Sequence, residues 1–118
     1  MGYVFDVDDK TFWSPSKNVG KTLMAHLAEI ESLVGGESGV VESMSDTVEI
    51  DIPKLNEFVS LAIGSASLQN ASLRVLHGGV LMHLIAFLML HGAWEANSSA
   101  GELESGARLL LGKFKPRG

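Results

Sequence analysis

No cysteine occurs in the chain, which excludes disulfides, thiol catalysis, iron–sulfur clusters and cysteine-ligated zinc. The same absence fits a reducing compartment, and the chain reads as cytoplasmic. A secretory leader is not legible either. It needs a basic region and then an apolar run, whereas Asp6, Asp8 and Asp9 stand near the start. Gly2 is not read as a myristoylation site, because position 6 is Asp rather than Ser or Thr. Positive charge is scarce: 9 Lys and Arg against 14 Asp and Glu leave a net charge of −5. That balance argues against nucleic acid and against an anionic membrane as partners. The basic exception is the tail 113–118, with Lys113, Lys115 and Arg117, which reads as a flexible, solvated C-terminus. No G-x-S-x-G elbow fixes a nucleophilic serine, and no internal repeat or low-complexity tract is present.

An uninterrupted run of membrane length is missing too. Val80–Trp94 is the most apolar stretch, but His83 and His91 break it, and His77 and Arg74 stand just before it. A run of this kind is a buried core helix more often than a span. Apolar residues make up 46% and charged residues 19%, so the chain has the material for a core rather than for disorder. Its 118 residues suit one domain over 1–118.

Tyr3–Val7 alternates apolar and polar residues as a strand does, and Thr11–Trp13 returns as its hairpin partner across Asp8-Asp9-Lys10. Ser14-Pro15 predicts a helix start, and Val19, Leu23, Leu27, Ile30 and Val34 keep helical spacing up to Gly35-Gly36. Trp13, just before that start, is expected to be buried and to anchor the first helix as a staple. Val40-Val41 and Thr47–Ile52 read as a second hairpin. Pro53 opens a second helix with Leu55, Phe58, Val59, Ala62 and Ile63 inward, and Gly64–Ser67 reads as a weak link. Asn70 is placed to cap a third helix running to about His91 and stopped by Gly92. Ser98 or Ser99 is placed to cap a fourth, with Leu103, Ala107, Leu110 and Leu111 inward and a Glu104–Arg108 pair outside. The fold class is therefore α+β: short antiparallel hairpins packed on three or four helices with a central apolar helix.

Motifs carry little chemistry. Pro15–Thr22 has the spacing of a phosphate loop, but proline replaces the first glycine and lacks the inward N–H such a loop needs. Gly20-Lys21-Thr22 would also lie within the helix, and no later parallel strand is expected to supply a magnesium-binding Asp. His77 and His83 are six apart and His83 and His91 eight apart, so this helix alone pairs no two of them on one metal. His91 and Glu95 stand four apart as an acid–base pair, weakened by Gly92 between them. Asn70, Arg74 and His77 follow the i, i+4, i+7 rule as a polar stripe, either the floor of a pocket for an anionic or polar ligand or the outer face of the helix. His83 reads as a hydrogen-bonded core histidine. Gly78-Gly79 costs about 1 kcal/mol per residue in a helix and implies a kink or close approach by another element.

Phe12-Trp-Ser-Pro-Ser-Lys-Asn-Val-Gly20, Asp46–Asp51 leading to Phe58-Val59, and Leu73-Arg74 with Leu76 and Gly79 resemble a family of small actinobacterial proteins of unassigned function. The resemblance spans residues 3–92. It implies one domain in an actinobacterial cytoplasm and carries over no functional residue.

Two functions follow as expectations. The first is a non-enzymatic binding protein acting as a homo-oligomer through Val80–Leu90, with a protein or small-molecule partner and without metal or cofactor. Apolar residues encircle that helix and must be covered on all sides. The rival is a small helical enzyme or accessory protein of secondary metabolism, with a pocket around Trp13, Arg74, His77 and His83.

Overall fold

The structure is a computed structural model and describes residues 2–43 and 46–114. Lys115 and Arg117 of the basic tail lie outside the described residues. β1 (Val4–Val7) and β2 (Lys10–Trp13) form the first hairpin. Its turn residues Asp8 and Asp9 take φ of 52° and 64°, as two-residue hairpin turns demand, and Asp tolerates that region. β3 (Val40–Glu42) and β4 (Thr47–Ile50) form the second hairpin. The two do not stay separate. β1 pairs with β4 in parallel, giving one mixed sheet in the order β2-β1-β4-β3. The expectation that no later parallel strand exists is thereby corrected. A lone hairpin is marginal in water, and joining the two covers an edge of each.

The connection that permits parallel pairing is α1 (Lys17–Val34). It starts two residues later than Ser14-Pro15 predicts: Ser16 is the N-cap and accepts from the Val19 N–H. Pro15 is instead buried, and its carbonyl accepts from Tyr3 N–H at 3.1 Å, which ties β1 to the approach of α1. Gly35, φ 85°, closes the helix in the left-handed conformation. Glu31 then accepts from both the N–H and the hydroxyl of Ser38 at 2.9 and 2.7 Å, turning the chain into β3.

α2 (Ile52–Gly64) is capped by Asp51 and buries Leu55, Phe58, Val59, Ala62 and Ile63. The stretch read as a weak link is a one-turn helix, α3 (Ala66–Gln69), capped by Ser65. Asn70 caps α4 (Ala71–Leu90), and Gly92 follows it at φ 69°. Neither Ser98 nor Ser99 caps α5 (Glu102–Leu110): Gly101 occupies that position at φ 51°, where a side chain is disfavoured. A 3₁₀ turn, Leu111–Lys113, brings Phe114 back into the core.

By length and composition α4 is the one described helix able to cross a membrane. Here it is the core helix. Val80, Leu81 and Leu84–Leu88 are buried, against a cluster that includes Phe5, Phe12 and Phe114.

Candidate functional site

Trp13 is half-buried rather than buried. Its ring centroid stands 4.9 Å from Phe5, 5.4 Å from His83, 5.7 Å from Phe87 and 5.4 Å from Phe114. The neighbour Phe12 takes the buried place, 5.2 Å from Phe87. Phe5 pairs with Trp13 and Asp6 with Thr11, so Phe12 is an extra residue that breaks the alternation of β2, and both aromatic rings reach Phe87.

The structure turns Asn70, Arg74 and His77 to three different uses, and Arg74 lines a furrow between α4 and α5. Asn70 is used as the cap of α4, accepting from Leu73 N–H at 3.1 Å. Arg74 reaches across to α5: Nε donates to Glu102 at 3.1 Å, and Nη2 donates to the carbonyls of Ser99 and Ala100 at 2.6 and 3.2 Å. The carboxyl of Glu102 is held below its ordinary range, first by its own backbone N–H and then by Arg74. His77 faces α1, its ring centroid 5.7 Å from that of His26. It is 8% exposed, and its Nδ1 is buried without a partner.

His83 is half-buried, and its Nδ1–H donates to the Gly79 carbonyl at 2.7 Å. Burial lowers its pKa, the Gly79 bond opposes that, and the Lys113 ammonium lowers it further. His91 uses Nδ1–H in the same way on the Phe87 carbonyl at 2.7 Å. Glu95 lies beyond the end of the helix and is exposed, so the expected His91–Glu95 pair does not form. Glu104 meets Arg108 at 3.4 Å. It also accepts from the Trp94 indole N–H at 2.8 Å, the larger reason its carboxyl is held below the usual range. Among the described residues no three His, Asp or Glu side chains gather as a metal site. Trp13, Arg74, His77 and His83 do not share one cavity.

The exposed surface of α4 was not foreseen. Val75 is 80% and Leu76 67% exposed, and Gly79, next on the same face, has open space above it. On one side lies a furrow of about 350 Å³ against α1, walled by Val19, Leu23, Leu76 and Val80 and rimmed by His26 and His83. On the other lies a furrow of about 370 Å³ against α5, lined by Val75, Gly78, Met82 and Leu103 with the Arg74–Glu102 pair at its side. Val80–Leu90 itself is largely covered within the chain.

These features define a small α+β domain: a mixed four-stranded sheet and helices sharing one apolar core, with one face of the central helix left bare. The chain belongs to a family of unknown function, DUF6086, whose model matches residues 1–107. The match extends past residue 92 into α5, farther than the sequence resemblance reached. No curated protein and no solved structure matches the chain.

Proposed function

We propose that this domain is a non-enzymatic interaction protein of an actinobacterial cytoplasm, acting as a homodimer through the bare face of α4. The observation that carries the reading is the exposure of Val75 and Leu76 side by side on a ridge between two apolar furrows. Singly exposed apolar residues are ordinary, whereas a contiguous apolar patch marks an interaction site. A two-fold contact needs a patch complementary to itself. Here a ridge stands beside a groove of side-chain size, so each copy can seat Leu76 in the other's furrow. Gly79 lets the second backbone approach closely. The contact thus shifts about one turn toward the N-terminus from Val80–Leu90, because the chain covers those residues itself.

Light scattering on a sizing column at micromolar concentration tests this. The expected mass is twice the 12.6 kDa of the chain, and Leu76→Glu is expected to return a monomer with the parent's circular dichroism. A monomeric parent overturns the reading.

A further inference from the structure

The α1–α4 furrow carries two histidines and no acid. His26 and His83 rim it beside Asn18 and Thr22, among otherwise apolar walls. No carboxylate forms an ion pair with any histidine among the described residues. The charged group that reaches His83 is Lys113, a cation, from the turn after α5. Trp13 from β2 covers one side of that ring. Across from His26 stands another imidazole, His77 of α4, with its buried, unpartnered Nδ1. Glu102, beyond the ridge, is already held by Arg74.

We propose that the two-copy contact on α4 is a pH switch, closed when His26 and His83 are neutral and released when they are protonated. The proposal rests on the homodimer reading of the same face. In a two-fold contact each histidine occurs twice, so protonation places four cations in a surface from which the second copy has removed water. A charge buried without a partner is costly, and nothing on the chain's own furrow walls offsets it. The Nδ1–H of His83 is already used on Gly79, so its added proton must go to Nε2. Burial in the single chain already disfavours the charged form of His83, and covering the furrow extends that effect. The dimer therefore binds fewer protons than two monomers. Association strengthens as pH rises and weakens as pH falls through the imidazole range near about 6.5. Net charge acts in the opposite sense: chains carrying −5 each repel less on acidification. The direction of the pH effect therefore separates the local mechanism from the global one.

Sedimentation velocity on the full chain at about pH 7.5 and about pH 5.5 reads the switch. The dimer dissociation constant is expected to rise about tenfold or more at the lower pH, with far-UV circular dichroism unchanged. In the double variant His26→Asn, His83→Asn the ratio of the two constants is expected to fall below about threefold, whatever its affinity at the higher pH. A second measurement does not depend on that variant. The imidazole resonance of His83 should titrate at lower pH in the dimer than in the Leu76→Glu monomer. Equal dissociation constants at both pH values, or equal titration midpoints, overturn the switch and leave the dimer standing. Unfolding at the lower pH, or a pH ratio that survives the double variant, also overturns the switch. A parent that is monomeric at about pH 7.5 overturns the dimer and the switch together.

Discussion

At Gly20 the first helix passes directly against the ring of Tyr3. A Cβ built there would lie 2.3 Å from the ring's Cγ and 2.6 Å from its Cβ, the stem of the side chain rather than its flexible end. The Val-Gly step of the start motif, which as sequence is only a tolerated helical glycine, is therefore what allows β1 and α1 to pack. Tyr3 is fixed at its far end as well, donating its hydroxyl to Glu42 at 3.1 Å. Gly20→Ala gains about 1 kcal/mol of helix propensity but forces the aromatic stem to move, and overpacking of this kind costs about 1–3 kcal/mol. The expected outcome is a net loss of stability, read as a lower urea midpoint. A midpoint equal to or above the parent's would show that Tyr3 shifts freely. Gly79 is the contrast: the same change there meets nothing within 4 Å among the described residues.

The elements are joined by a few long-range polar ties added to apolar packing. α4 and α5 are separated by an irregular stretch, and that stretch is held mainly by Arg74 through Glu102 and the carbonyls of Ser99 and Ala100. Trp94 adds a second tie to Glu104. Charge-assisted hydrogen bonds contribute about 1.5–3 kcal/mol where solvent is partly excluded, and the Arg74 side chain is mostly covered. Arg74→Ala is expected to destabilise the domain by about 1–3 kcal/mol. Arg74→Lys should recover only part of this, because an ammonium lacks the planar fork that reaches a carboxylate and two carbonyls at once. Thermal melts by circular dichroism compare the three chains. A lysine variant as stable as the parent would mean that charge alone suffices. Arg74 could be picked out as unusual from its place in the helix pattern, but its partners are 25, 26 and 28 residues away, beyond any local rule.

For the whole molecule, one apolar cluster runs from Tyr3 on the first strand to Phe114 at the end of the described chain. Phe87 of α4 stands at its centre, within 5.8 Å of Phe5, Phe12, Trp13 and Phe114. Residues from both termini thus meet on the same ring. A single shared core implies that no part unfolds alone. Calorimetry is expected to show one transition with equal calorimetric and van't Hoff enthalpies, and two resolved transitions would contradict the one-domain reading of 1–118.

The four longer helices, the glycine stops after α1 and α4 and the inner stripe of α2 were legible because caps, prolines and a 3.6-residue period act within a few residues of one another. Asn70 and Gly35 perform in the structure the local roles read for them, whereas Asp51, read as part of the strand Thr47–Ile52, caps α2. The start of α1 shifted by two residues because Ser14 and Ser16 are equally good caps by type, and only the Tyr3–Pro15 bond distinguishes them. The parallel pairing of β1 with β4 was not legible, since a strand's period says which face is buried but not which neighbour it takes. The bare face of α4 was hidden for the opposite reason: a helix apolar on every side has no period to read. Val75 and Leu76 match Val80 and Leu81 in hydropathy, and tertiary contacts alone leave the first pair exposed and bury the second.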